Sequence, residues 1–294
     1  MFNVEKLKSF QWVNVGNPDH EDFHRLQDEF KIDQDTIENI LDPDEQSRTE
    51  SEDNYKVIII RFPITNREMD TVWHTEPLSI IYNDKRIITV CRKRCDILDK
   101  IKPAEKTSPQ LFILNTIYYI AESYLKSLKD LNRRVFTAKK ALSAKIRKRE
   151  LLALLEVENS YTLYMAGLKG NMGVVDKLEK MRSFTTNDEC DELLEDARIE
   201  LHQATEIAIT YSKMLAAIKN TFESVINIDS NTNINRLTLW NIFLMVPTIV
   251  VGYYGMNMAL PFAEYKSTAI VMFGIFVAFI VVYGLYLAGF NRRK

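Results

Sequence analysis

The sequence predicts an α/β domain with a mainly antiparallel sheet, then a long helical stalk, then two membrane-spanning helices at the C-terminal end. Three observations lead there. Residues 237–254 (LTLWNIFLMVPTIVVGYY) and 269–290 (AIVMFGIFVAFIVVYGLYLAGF) are apolar and free of charge. A bilayer core of about 30 Å takes about 20 helical residues, a length the second run satisfies and the first just reaches. Between residues 10 and 105, short β-branched runs alternate with short helical patterns, whereas from Ser108 to the first apolar run the pattern is helical almost throughout.

Taken in order, residues 10–15 read as a strand, and 19–30 as a helix capped by Asp19. A second short helix over 35–41 runs into the acidic loop DPDEQSRTESED. Residues 55–64 (YKVIIIRFPI) are a β-branched run expected in the middle of the sheet, and 77–82 with 86–91 form a hairpin about Asn83-Asp84. Pro109 opens a helix reaching to about residue 147, and a second covers about 150–181. After the break at 185–188, no Pro or Gly occurs until Pro247, which predicts an uninterrupted helix of roughly 90 Å running into the first apolar run. The expected organisation is an α/β domain (1–107), a helical hairpin (108–186), a stalk helix (187–236), a first span (237–254), a connecting loop (255–268), a second span (269–290) and a basic tail (291–294).

Composition limits the function classes. The formal net charge of −2 argues neither for nor against a nucleic-acid partner. The basic stretch 126–149 lacks interleaved aromatics and is followed by acids, so it reads as a solvated helix face and no nucleic-acid partner is expected. Cys91, Cys95 and Cys190 form no Cys-x-x-Cys pair and read as reduced buried thiols. No Gly-rich phosphate loop, Ser/His/Asp arrangement or carboxylate pair indicates catalysis, so the chain is not expected to be an enzyme. His20 and His24 have metal-ligand spacing but no third ligand and read as a surface pair; His74 and His202 read as isolated. The N-terminal MFNVEKLKSFQWV has no apolar core, so no signal peptide is expected. Arg236 precedes the first span and Arg292, Arg293 and Lys294 follow the second, which orients both termini to the cytoplasm of a multi-pass plasma-membrane protein.

The long helix carries two stripes at alternating spacings of three and four. Leu194, Ala197, Leu201, Ala204, Ala208, Tyr211, Leu215, Ile218, Phe222 and Val225 make an apolar seam for packing against neighbouring helices. Asn220, Ser224, Asn227, Asn231, Ile234, Thr238, Asn241, Met245 and Thr248 make a polar one. Polar groups in a bilayer cost free energy unless they meet partners or water. One helix cannot enclose an aqueous path, but several copies around an axis can. A sealed bundle, in which the stripe only bonds helix to helix, is the rival reading.

Between the spans stands Tyr253-Tyr254-Gly255-Met256-Asn257. Together with Pro247-Thr248, the two-span C-terminus and the basic tail, this Gly-Met-Asn turn resembles the CorA family of magnesium transporters. The resemblance implies a funnel-shaped homopentamer in the lipid bilayer that passes Mg2+, with Co2+ or Ni2+ as further cargo, down its electrochemical gradient under the control of internal Mg2+. No organic cofactor is implied. Mg2+ releases its water shell reluctantly, and those waters donate hydrogen bonds to oxygen acceptors. A ring of Asn257 amides beside the Gly255-Met256 backbone would supply such acceptors, with Gly255 permitting the turn that ends the helix. By the same resemblance, Thr248, Asn241 and Asn231 line the path, and Ile234 and Leu237 take the positions of a hydrophobic constriction. Asp196 maps to an inter-subunit sensing aspartate. Its acidic partners map to Glu38-Asn39, so one carboxylate is missing. Asn220 stands where the family has an aspartate ring, and residues 258–261 lack the usual acids. These departures bear on ion identity and regulation. A zinc-transporting, proton-coupled relative shares the two spans and a Gly-x-Asn loop and is the alternative.

Overall fold

The computed structural model describes residues 2–65, 73–93, 95–101, 103–105, 107–144, 148–185 and 187–256, and in the last apolar run residues 271, 274, 277–279 and 283. The chain divides into two compact units, Met1–Lys219 and Asn220–Lys294.

The elements are β1 (Phe2–Lys6), β2 (Gln11–Gly16), α1 (His20–Asp28), α2 (Gln34–Leu41), β3 (Arg48–Ser51), β4 (Lys56–Thr65), β5 (Trp73–Tyr82), β6 (Arg86–Cys91), α3 (Pro109–Ala144), α4 (Lys148–Leu178) and α5 (Asp188–Tyr254). Strand order in the six-stranded sheet is β1-β2-β6-β5-β4-β3. Only β2 and β6 run parallel, so the sheet is mainly antiparallel, as expected. The β5–β6 hairpin closes at Asn83, whose side-chain oxygen accepts from the amides of Lys85 (3.0 Å) and Arg86 (2.9 Å). β4 lies inside the sheet, between β5 and β3.

Two edge strands go beyond the sequence reading. β1 carries little apolar alternation, and Val4 on it is exposed. β3 falls within the acidic stretch expected to be loop. Both are short strands held by backbone pairing along the sheet margins, where polar side chains are tolerated because one side meets water.

α1 begins at the cap expected for it, and α2 has a cap the sequence reading did not name. Asp19 accepts from the Asp22 amide at 2.9 Å while Asp22 reaches back to the Asp19 amide, a reciprocal capping box. Asp33 caps α2, accepting from the Thr36 amide at 2.6 Å and the Tyr55 hydroxyl at 2.5 Å. The Tyr55 bond, with the amide bonds, holds the Asp33 carboxyl below its ordinary value. Leu26, Ile32, Ile37 and Ile40 from this helical segment pack on Val13, Val15, Val57, Ile59, Ile81, Ile88 and Val90 of the sheet. On the opposite face Trp12 meets Phe112 of α3, with ring centroids 4.9 Å apart.

α3 and α4 are fastened to β4 at one residue. The Arg61 amide donates to Asn171 Oδ1 at 2.9 Å, and its carbonyl accepts from Asn171 Nδ2 at 2.7 Å and from the Tyr124 hydroxyl at 3.2 Å. The guanidinium reaches the carbonyls of Glu45, Pro43 and Thr75. Asn171 is fully buried, and a side chain at Gly170 would press on Ser47 at 3.0 Å.

His74 is not isolated. Its Nε2 lies 3.2 Å from Glu76 Oε1, and Lys93 Nζ lies 2.6 Å from the same oxygen. Glu76 is 5% exposed. Burial raises its pKa, but the His74 and Lys93 hydrogen bonds and the Lys93 charge outweigh that and hold it at about 2 against an ordinary 4.5. Because the folded value is depressed, the stabilisation is fully present above pH 4.5 and is lost as pH falls toward 2. Glu76→Gln removes this dependence. Denaturant midpoints of wild type and variant should differ at neutral pH and converge between pH 4.5 and 2; a gap constant with pH would contradict the assignment.

Candidate functional site

α5 is, among the described residues, the one helix long and apolar enough to cross a membrane. In the second unit its Trp240 and Phe243 meet two rings of the last apolar run, whose described residues are helical. Phe243 stacks on Tyr283 (4.4 Å between centroids) and Phe279 (5.4 Å), and Trp240 meets Tyr283 edge-on at 6.0 Å. These four aromatics were not singled out from the sequence. Their helical spacings, Trp-x-x-Phe facing Phe-x-x-x-Tyr, are the signal that could have found them.

This contact gives the helix a direction. At about 100° per residue, the polar stripe is centred roughly 170° from the Trp240–Phe243 face. Asn220, Ser224, Asn227, Asn231, Ile234, Thr238, Asn241, Met245 and Thr248 are all exposed on it. The flanks are apolar and exposed: Ile242, Leu244, Val246 and Ile249. A helix with one aromatic contact face, apolar flanks and a polar stripe opposite suits lipid at the flanks and an aqueous lumen at the stripe.

The hydroxyls on the stripe are set as acceptors. Ser224 donates to the Asn220 carbonyl (2.9 Å), Thr238 to Ile234 (2.9 Å) and Thr248 to Leu244 (2.7 Å). With its proton committed to the helix, each oxygen offers lone pairs outward, the polarity that hydration waters of a cation require. Leu237 is 63% exposed beside the stripe, and Ile234 is 54% exposed on it.

At the helix end, the Gly255 amide bonds the Val251 carbonyl at 2.9 Å and the Met256 amide the Tyr253 carbonyl at 3.4 Å. Gly255 does not adopt a left-handed backbone, contrary to the expectation that it supplies the turn through conformational freedom. It serves close approach instead: a Cβ there would stand 3.2 Å from the Val251 carbonyl oxygen. Asn257 lies outside the described residues, as does most of the connecting loop.

The apolar seam buries Leu194, Ala197, Leu201, Ala204, Ala208, Leu215 and Ile218 within the first unit. Its neighbours include a helix of the same chain, since Tyr211 meets Tyr161 of α4 (6.3 Å) and Lys219 pairs with Glu158 at 2.6 Å. Val225 is exposed.

Glu38, Asn39 and Asp196 are exposed on the first unit. Glu38 accepts from Gln34 at 2.8 Å. Asp196 joins Glu200 and Glu122 near Tyr118, whose hydroxyl is raised first by burial and then by these charges. Among the described residues, no group of three or more His, Cys, Asp or Glu side chains could hold a metal ion. His20 packs edge-on against Phe23. The three cysteines are buried free thiols, and burial pushes Cys95 up to about 12.

The pattern of a CorA-like Mg2+ transporter protein family matches residues 8–293. The cobalt/magnesium transport protein CorA of Methanocaldococcus jannaschii is 21% identical over 282 residues, covering 92% of this chain and 88% of that protein. The magnesium transport protein CorA of Helicobacter pylori is 23% identical over 270 residues, covering 87% of this chain and 81% of its own. The complete structure of the Methanocaldococcus jannaschii CorA magnesium transporter superimposes with a TM-score of 0.81 at 20% identity, covering 95% of this chain and 90% of that one.

Proposed function

This chain belongs to the CorA-like Mg2+ transporter family, and from that premise we propose that it is a homopentameric channel passing Mg2+, with Co2+ or Ni2+ as further cargo, across the plasma membrane. The observation that carries the reading is the polar stripe of α5 on the face opposite the Trp240–Phe243 contact with the last apolar run. Copies arranged about an axis with that contact outward would turn every stripe residue into a ring and enclose a path lined by oxygen acceptors. Movement follows the electrochemical gradient, without ATP and without a catalytic residue. Both termini are cytoplasmic in this reading, and the Gly255-Met256-Asn257 turn faces out.

Neutral oxygens suit this cargo. They accept from the first-shell waters of Mg2+ without stripping them, and they bind weakly enough to let the ion leave. Asn257 forms the entry ring. Ile234 and Leu237 close the path by dewetting where the stripe meets the cytoplasmic membrane boundary. Asp196 and Glu38-Asn39 form a regulatory cation site across the subunit boundary, where bound Mg2+ neutralises opposing charge and favours the closed state.

Flux into liposomes loaded with purified protein tests the reading: Mg2+ uptake is expected, insensitive to an imposed pH gradient. Zn2+ uptake that follows the pH gradient would indicate a proton-coupled zinc transporter, and no flux of any divalent cation would indicate a sealed scaffold.

Three substitutions test the parts. Asn257→Ala should lower Mg2+ uptake by at least about tenfold, the effect of about 1.4 kcal/mol in the barrier, with the oligomer intact by native mass measurement. Leu237→Asn should wet the constriction and raise resting flux several-fold; unchanged flux at normal expression would put the gate elsewhere. Asn39→Asp adds an anionic ligand, so closure in a titration of current against internal Mg2+ should shift to lower concentration, while Asp196→Lys should shift it to higher. Coincident curves for all three proteins would remove sensing from this interface.

A further inference from the structure

The first unit contains a cleft of about 680 Å3 where the Thr65–Trp73 end of the β4–β5 pair meets the middle of α3 and the start of α4. Trp73, Asp130, Arg133, Arg134, Arg149 and Glu150 line it. The three arginines belong to the basic stretch that the sequence reads as a solvated face.

Arginines of the first unit differ in what they meet. Arg25, Arg48 and Arg198 each meet a carboxylate, and Arg61 is fully bonded to backbone and Thr75. Among the described residues, no carboxylate lies within ion-pair distance of the Arg133, Arg134 or Arg149 guanidinium. The Arg134 guanidinium carbon lies over the Trp73 ring, 4.3 Å from its centroid. Stacking occupies the face of a guanidinium and leaves its in-plane N–H edge open to an oxyanion.

Two buried polar atoms of the lining also lack partners. Trp73 is 4% exposed, and its Nε1 donor makes no hydrogen bond; neither does the buried Glu150 Oε2. Buried polar groups are nearly always satisfied, so a site with unused donors and an unused acceptor around an open volume calls for a polar occupant. Arg149 and Glu150 stand in the first turn of α4, whose leading amides have no partner within the helix.

We propose that this cleft binds a phosphorylated small molecule of nucleotide size, its phosphate on Arg133, Arg134 and Arg149 and a hydroxyl or amine donor on Glu150. The volume lies in the range of small-ligand sites. Asp130 and Glu150 set the class: they would repel the successive phosphates of a nucleic acid but leave room for a compact phosphate group at the arginine end. The inference concerns the first unit alone and does not rest on transport.

Isothermal titration of the full chain in detergent, with ATP, inorganic pyrophosphate and adenosine as probes, tests it. ATP and pyrophosphate should bind, ATP more tightly through its donors, with adenosine at least about tenfold weaker than ATP. The Arg133→Gln/Arg134→Gln double variant should weaken ATP about tenfold or more, equivalent to about 1.4 kcal/mol. Arg149→Gln, on a different helix, should act in the same direction, so the result does not hang on the folding of one variant. Arg25→Gln, at a surface pair outside the cleft, should bind as wild type. Absence of binding by both phosphates to a protein with native circular dichroism would overturn the proposal. So would wild-type affinity in the arginine variants, or adenosine binding as tightly as ATP.

Discussion

The first unit depends on how the backbone of Arg61 is satisfied. The pairing of β3 with β4 ends at Arg48 and Ile59, short of Arg61. The Asn171 side chain from α4 meets the Arg61 amide and carbonyl together, as a neighbouring strand's peptide would. Asn171 also accepts from Ser47 at 2.7 Å, so one buried amide joins the sheet, the approach to β3 and the helical hairpin. Asn171 is fully buried, and leaving its amide unpaired would cost about 1–3 kcal/mol. Small residues make the approach possible: a Cβ at Gly167 would stand 2.4 Å from the Tyr124 hydroxyl, and one at Gly170 would press on Ser47.

α5 shows how one periodicity serves two solvents. Its apolar seam and its polar stripe share the same alternation of three and four residues. Up to Ile218 the seam is buried inside the chain and stabilises the first unit in the ordinary way, at about 25 cal/mol per Å2 of apolar surface removed from water. In the second unit the large apolar residues are mostly exposed, and the burial that orders the helix is aromatic, at Phe243. Exposed apolar flanks beside an exposed polar stripe are costly in water and suited to a boundary between lipid and a hydrated lumen.

Several arginines of the first unit stand in contrasting surroundings. Arg61 is consumed by structure. Arg25 and Arg198 are surface ion pairs, each of small worth because solvent screens them, and Arg48 is partly buried between Glu45 and Glu50. Arg133, Arg134 and Arg149 are gathered without carboxylate partners at one cleft. The last three belong to the basic stretch 126–149, and packing gathers them at one cleft.

What the sequence by itself determined is whatever rests on local periodicity and composition. The strand read at 55–64, the β5–β6 hairpin at Asn83, the cap at Asp19, the three long helices and the two stripes of α5 all follow from residues close in the chain. Tertiary structure decided the rest. β1 and β3 are strands because neighbouring strands needed partners, not because their own residues favour it. His74 gained its partners only when β5 and the turn after β6 brought Glu76 and Lys93 to it. Asn171 met the backbone of Arg61, 110 positions away, only in the folded chain. The polar stripe acquired a direction only from the rings of Phe279 and Tyr283 on its far side. The physical reason is common to all four: hydrogen bonds and burial depend on groups distant in the chain, and no local pattern records which of them will meet.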